Sequence, residues 1–168
     1  MTAEASAAHH SGHSATWRLI SLAVFLGITS AVAAVGSIAT RGGQDWYDTI
    51  DKPAFNPPDW VFGPVWTTLY VFMSVAAWLV YRERKPGRAL ALGAWGAQLA
   101  LNLAWSWIFF GAHEPGLALL EIVALFASIA VTIPLFVRIN RAAAAFMAPY
   151  LGWVAFAGVL NFEVWRLN

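Results

Sequence analysis

The chain has 168 residues, of which 60% are hydrophobic and only 11% are charged, and its net charge is +1. A soluble domain carries roughly twice that charged fraction. Cysteine is absent, which excludes disulfide bonds, thiolate catalysis and cysteine metal sites. The sequence contains no phosphate-binding loop, no dinucleotide fingerprint and no HExxH motif. We therefore expect neither a metal site nor a nucleic-acid partner.

The chain begins with a small, polar segment, and we predict a disordered tail over residues 1–16. It contains His9, His10 and His13. A metal-binding tail is the less favoured interpretation, because no carboxylate or cysteine completes a cluster with these histidines.

Five apolar segments follow, each with the ~20 residues that a helix needs to cross a ~30 Å hydrocarbon core. The sequence thus predicts an all-α membrane protein, a bundle of five transmembrane helices, with spans at about residues 17–40, 61–81, 89–112, 117–137 and 142–165. Glu121 is the only formal charge well inside a span. Its position near a helix start favours a role on the helix dipole over a buried proton or cation site.

Basic residues are divided unequally between the two ends of these spans. One end has only Arg41, Lys52 and Arg166, and the other has Arg18, Arg82, Arg84, Lys85, Arg88, Arg138 and Arg141. Because cytoplasmic loops are enriched in basic residues, we expect the N-terminus to be cytoplasmic.

Residues 41–60 combine aromatic, acidic and proline residues in a way that a simple connector would not. Trp46, Tyr47 and Trp60 lie among four aspartates, and Lys52-Pro53 and Pro57-Pro58 restrict the backbone. We predict a lid-like loop over a site between helices.

The third span has two distinct faces at ~100° per residue. Trp95, Gln98, Asn102, Trp105 and Phe109 share one sector. The two amides should point inward, either as part of a site or as hydrogen bonds that hold the bundle together. The other face carries small residues that allow close helix approach: Gly93, Gly96, Ala97, Ala100 and Ala104. On this pattern alone, packing within the bundle is favoured over a homodimer.

Aromatic residues also share faces with small residues on the second and fifth spans. Trp66 and Tyr70 lie on the second, and Trp153 and Ala157 on the fifth. Together with Trp105, the two other indoles would form a flat, apolar slot that suits a large planar ligand.

These residues carry a resemblance to a known family. The matching motifs are WY at Trp46-Tyr47, KP at Lys52-Pro53, PPxWVFGPVWTxLY from Pro57 to Tyr70, QLALNxAW from Gln98 to Trp105, FFG at Phe109–Gly111, PYLxW from Pro149 to Trp153, and LNxxxWR from Leu160 to Arg166. In these the chain resembles the tryptophan-rich sensory protein/translocator protein family. The resemblance implies a five-helix bundle, usually dimeric, that binds porphyrins without a covalent cofactor. With it, we expect a homodimer through the small-residue face of the third span, in a bacterial cell membrane.

The resemblance also implies a pocket lined by Trp66, Trp105, Trp153, Asn102 and Ala157. With the faces and the loop described above, the predicted ligand-binding set is Trp46, Tyr47, Trp60, Trp66, Tyr70, Gln98, Asn102, Trp105, Phe109, Trp153 and Ala157. Sterol binding is not expected, because Phe162 stands where the motif of animal members requires Tyr.

Three functions stay open from the sequence. The first is a receptor or carrier for porphyrin-type tetrapyrroles with a sensory or stress-regulatory role. The second is light-dependent porphyrin breakdown, which the resemblance assigns to Trp66 and Trp153. The third is proton-coupled transport, which is disfavoured because the spans show no inverted repeat.

Overall fold

The structure is a computed structural model that describes the backbone of residues 3–168 and the side chains of residues 15–168. This part of the chain is helical and contains no β-strand, so the all-α class is confirmed. The predicted tail, residues 1–16, falls almost entirely on residues whose side chains lie outside that description. The elements are α1 (Ala3–Gly42), α2 (Gln44–Thr49), α3 (Asp59–Arg82), α4 (Arg88–Ser106), a π-helix (Trp107–Gly111), α5 (Pro115–Ile139) and α6 (Arg141–Leu167).

Four helical segments of the described chain are long and apolar enough to cross a membrane: Ala15–Gly42, Asp59–Arg82, Pro115–Ile139 and Arg141–Leu167. The segment predicted at residues 89–112 is not among them. Its α-helix ends at Ser106 after 19 residues, and Gln98 and Asn102 lower its hydropathy. The described part of the chain has six α-helices, and four of the five predicted spans are confirmed by length and composition. The fifth span stays a prediction.

The prediction that residues 41–60 form a loop is wrong for most of this segment, which is helical. α1 continues to Gly42, α2 occupies Gln44–Thr49, and α3 already begins at Asp59. The Gly43 amide donates to the Ala39 carbonyl at 2.9 Å, so the helical backbone bends into α2 with little interruption. Only residues 50–58 of this segment are irregular, where Pro53, Pro57 and Pro58 lack the backbone N–H that helical hydrogen bonds need.

The five longer helices pack as a closed ring in the order α1, α3, α6, α5, α4. Their outer surface is apolar, as shown by the exposed side chains of Leu19, Val24, Leu120, Val123 and Val131. Polar side chains lie inside instead: Thr29 and Ser74 are buried, and their hydroxyl oxygens are 2.6 Å apart between α1 and α3. Apolar outside and polar inside is the arrangement of a helical membrane protein.

Candidate functional site

A cavity of about 410 Å³ lies among α1, α3, α4 and α6, with α2 and the π-helix at one end. This volume falls in the range of ~300–1,000 Å³ that is usual for small-molecule sites. α5 contributes no lining residue and packs behind α4 and α6. The ring of helices therefore encloses a space of ligand size at the end where α1 finishes.

Aromatic side chains from three helices and the π-helix form one wall, which we call the aromatic wall: Trp66, Tyr70, Trp105, Phe109, Phe110 and Trp153. Trp105 stacks on Phe109 with ring centroids 5.1 Å apart and planes 22° apart. Residues four apart share a helix face, and the wider π-turn brings the next residue, Phe110, to the same side. The π-helix thus concentrates aromatic surface that a regular α-helix would distribute around its axis.

Two buried amides fix the orientation of this wall. Asn102 accepts a hydrogen bond from the Tyr70 hydroxyl at 2.7 Å. Asn161 accepts from the Trp105 indole N–H at 3.0 Å and donates to the Pro115 carbonyl at 2.7 Å. Both amides line the cavity and are only 2% exposed. The hydrogen bonds therefore hold a phenol and an indole in place between helices.

The Trp153 indole nitrogen differs from that of Trp105. It is buried, and no hydrogen-bond acceptor contacts it among the described residues. Trp153 lines the cavity, but its nitrogen has almost no accessible surface, so a ligand could reach this N–H only if the ring turned.

α2 contributes Tyr47 to the cavity end. The Tyr47 ring lies 5.6 Å from Phe110, and its hydroxyl donates to the Asn56 side-chain oxygen at 3.1 Å. Burial raises the pKa of the Tyr47 phenol above its ordinary value of 10.0, while the hydrogen bond to Asn56 partly opposes that rise. Tyr47 is therefore neutral at physiological pH and remains a hydrogen-bond donor.

Gly43 allows α2 to approach the π-helix closely. A Cβ atom at this position would overlap the backbone carbonyl of Phe110. Gly42, one residue earlier, has no atom within 4 Å of an added Cβ. The close approach of α2 to the π-helix therefore requires glycine at position 43 but not at position 42.

α1 forms a second wall, which the sequence analysis missed because it assigned no site residue to the first span. This α1 wall consists of Ala33, Gly36, Ser37, Thr40 and Arg41. The sequence pattern that could have indicated this wall is a set of small or polar residues spaced three and four apart within an apolar segment. In the sequence that pattern is weak, because the same residues are common at any helix contact in lipid.

Most of the predicted ligand-binding residues come together in the cavity: Tyr47, Trp66, Tyr70, Asn102, Trp105, Phe109, Trp153 and Ala157. Three others do not line it. Trp60 is 75% exposed, and Trp46 stacks on His113 at 4.6 Å. Gln98 is fully buried away from the cavity, and neither of its amide atoms has a hydrogen-bond partner in the described part of the chain.

Glu121 also lies deeper than the sequence suggested. α5 begins at Pro115, so Glu121 falls in its second turn. Both carboxylate oxygens are buried and make no hydrogen bond within residues 15–168. It lies outside the cavity lining.

The small-residue face of α4 turns away from the rest of the chain. Gly93, Ala97 and Ala100 are exposed, and Gly96 and Ala104 are partly so. An added Cβ on Gly93 or Gly96 would meet no atom within 4 Å. Packing within the described part of the chain therefore does not account for the exposed residues of this face, and dimerisation through it stays a prediction.

The fold and the cavity define a class: an all-helical membrane protein with an aromatic site between its helices. The model of the TspO/MBR family matches residues 22–166. This covers more than half of the chain and leaves out only the first part of α1 and the last residue of α6 among the helices. The chain belongs to the TspO/MBR family.

Known relatives agree with this assignment over most of the chain. The tryptophan-rich protein TspO of Chlorobaculum tepidum is 39% identical over 154 residues, which are 90% of this chain and 98% of that protein. The human translocator protein is 41% identical over 80% of this chain and 82% of its own length. The tryptophan-rich sensory protein of Cereibacter sphaeroides is 41% identical over 82% and 88%, respectively.

Proposed function

We propose that this protein is a membrane receptor or carrier for porphyrin-type tetrapyrroles, such as protoporphyrin IX, with a sensory or stress-regulatory role. The observation that carries the proposal is the convergence of Trp66, Trp105 and Trp153 on one cavity beside Asn102. The relatives named as a translocator protein and a tryptophan-rich sensory protein support a carrier or sensory role.

The chemistry of the cavity suits a planar, mostly apolar ring. Indole and phenyl faces offer offset or edge-to-face contacts to an aromatic macrocycle, each worth about 0.5–1.5 kcal/mol beyond the burial of its area. The hydrogen-bonded pair Tyr70 and Asn102 lines the cavity and supplies polar contacts that would orient the ring. Such pre-formed walls reduce the ordering cost of binding.

We also propose that α4 and the π-helix together form a fifth membrane span. α4 packs between α1 and α5, two helices that are themselves long and apolar enough to cross a membrane. Its polar residues Gln98 and Asn102 face the interior and are buried. In this arrangement the N-terminus is cytoplasmic, in a bacterial cell membrane, and the cavity end lies on the opposite side.

The binding proposal is tested by filling the cavity from α6. Ala157→Phe should lower the affinity for protoporphyrin IX at least tenfold, because the new ring occupies ligand space; a tenfold change is about 1.4 kcal/mol. Tryptophan fluorescence quenching during titration of the purified protein measures it.

The matched control is Ala155→Phe, because Ala155 is exposed and does not line the cavity. Its affinity should equal that of the wild type. Equal affinity in all three proteins would place the ligand elsewhere and reject the proposal.

A second candidate function is light-dependent breakdown of the bound porphyrin. It is favoured by the position of Trp66 and Trp153, the two tryptophans to which the resemblance assigns this chemistry, on the same cavity. Phenylalanine retains an apolar ring but removes the easily oxidised indole. The Trp66→Phe/Trp153→Phe variant should bind porphyrin and lose light-driven product formation, followed by absorbance. If Trp17→Phe/Trp165→Phe, which alters two exposed tryptophans, loses the same activity, the assignment to the cavity is wrong.

We further propose a homodimer through the small-residue face of α4. Close backbone approach is a main source of helix attraction in lipid, and this face has no partner in the described chain. Ala100→Leu and Gly96→Ile should give monomers in mild detergent, measured by light scattering. Ala130→Leu, on the exposed side of α5, is the control and should stay dimeric. A dimer that survives both substitutions on α4 would place the interface elsewhere.

A further inference from the structure

Three basic side chains lie near the end of the molecule that holds the cavity, and two of them have partners. Lys52 places its ammonium 4.6 Å from the centre of the Tyr47 ring. Arg166 forms an ion pair with Glu163 at 2.6 Å. Arg41 has no ion pair, hydrogen bond or ring contact within the described part of the chain, and it lines the cavity.

The α1 wall becomes more polar toward Arg41. Ala33 and Gly36 come first along the helix, followed by Ser37 and Thr40. The two hydroxyls donate to carbonyls of their own helix, at 2.8 Å and 3.2 Å, so those protons are already used. The Arg41 guanidinium therefore supplies the unpaired donors of this wall, and it lies at the exposed end where α1 finishes.

We propose that Arg41 binds the carboxylate of an amphipathic planar acid whose ring lies against the aromatic wall. A guanidinium offers a fork of N–H donors that matches a carboxylate in two parallel charge-assisted hydrogen bonds. The inference rests on the proposed function. It adds recognition of the ligand's carboxylate to the proposed recognition of its ring.

Two simpler roles for Arg41 make different predictions. A cation in the last turn of α1 would favour the helix dipole, and an arginine near a membrane surface could contact lipid phosphate. Neither role would make the protein distinguish a ligand with free carboxylates from the same ligand with those groups esterified. The ligand preference is thus the property that separates the three roles.

Asp59 provides an internal test of the charge argument. It also lines the cavity, at the start of α3, and it is not paired with Arg41. A carboxylate there repels an anionic ligand edge. Neutralising Asp59 should therefore change the affinity for an acid in the direction opposite to neutralising Arg41.

The experiment compares protoporphyrin IX with its dimethyl ester, using the full chain in detergent and in phosphatidylcholine nanodiscs. Arg41→Gln should weaken binding of the acid about tenfold and leave binding of the ester unchanged. Asp59→Asn should strengthen binding of the acid alone. Arg41→Lys, which keeps the charge but not the fork, should fall between wild type and Arg41→Gln, and it carries the test if the glutamine variant fails to fold.

Arg84→Gln is the matched control, since it removes one positive charge at the exposed other end of the bundle; it should bind both ligands as the wild type does. Equal losses for acid and ester in Arg41→Gln, or no loss for either, would overturn the role of Arg41 while leaving porphyrin binding intact. An effect confined to the nanodiscs would assign Arg41 to lipid and overturn the inference as well. Failure of the wild type to bind either compound would reject the proposed function itself.

Discussion

The two walls of the cavity are built on opposite principles. The aromatic wall is large, apolar and held by hydrogen bonds that Tyr70 and Trp105 donate to Asn102 and Asn161. The α1 wall is small and polar, and its hydroxyls bond only to their own helix. The first wall offers contact area in a fixed orientation, whereas the second sets the width of the cavity and the charge at its exposed end.

This difference suggests a division of labour in recognition. Pre-oriented rings supply most of the binding surface and should tolerate few changes. The α1 wall can change ligand preference with little loss of folding, since an added Cβ on Gly36 would make ordinary contact with Ser106 at 3.5 Å. Mutations that remove the hydrogen bonds of the aromatic wall should therefore destabilise the protein, whereas mutations in the α1 wall should alter ligand choice.

The largest effect is expected from Asn161→Leu in the aromatic wall. It leaves the part-buried Trp105 N–H without its acceptor and removes the hydrogen bond that Asn161 donates to the Pro115 carbonyl. Since an unsatisfied buried donor costs about 1–3 kcal/mol and a lost hydrogen bond about 1 kcal/mol, we expect a loss of about 3 kcal/mol in unfolding free energy. Thermal unfolding in detergent measures it.

Gly36→Ala on the α1 wall is the matched comparison for Asn161→Leu. We expect near wild-type melting with a modest change in ligand affinity. The contrast between the walls is wrong if Gly36→Ala is the more destabilising of the two.

Next in size is Gly43→Ala, which tests the junction where α2 meets the π-helix. Its Cβ would overlap the backbone of Phe110, so α2 has to move outward. Overpacking of this kind costs about 1–3 kcal/mol. We expect faster dissociation of protoporphyrin IX, measured by stopped-flow quenching, because Tyr47 moves with α2.

Gly42→Ala is the control for Gly43→Ala, because open space surrounds that position. Its dissociation rate should match that of the wild type. If Gly43→Ala also dissociates at the wild-type rate, α2 is only a connector, and the prediction of a lid-like function for this segment fails.

The smallest effect is expected from Gln98→Met, outside both walls. Neither amide atom of Gln98 has a partner among the described side chains, so an apolar residue of similar length removes two unsatisfied groups. Replacement of unpaired polar atoms by apolar ones is nearly neutral or stabilising. The melting temperature should stay equal or rise. A fall would mean that buried water satisfies this amide.

The aromatic wall could be predicted from the sequence because its residues repeat at helical spacing on three apolar segments. Trp66, Trp105 and Trp153 all face the cavity, as their faces indicated. Gln98 shares the helix face of Asn102 but lies one turn away, outside the cavity. Helical spacing predicts the face on which a side chain lies, but not whether a cavity reaches that level along the helix.

The α1 wall, the helical course of α2 and the π-helix could not be predicted in the same way. Small residues such as Gly36 look alike in a cavity wall and in a helix contact. α2 depends on the close approach of Gly43 to Phe110, a contact between residues distant in the chain. The π-helix adds one residue to a turn, which hydrophobic periodicity does not resolve.

The most direct test of the account is an experimental structure of the protein with protoporphyrin IX bound. We expect the macrocycle between the two walls, in contact with Trp66, Trp105 and Trp153, with a carboxylate at the Arg41 guanidinium. Density for the macrocycle on the lipid-facing surface, with the cavity empty, would contradict the account.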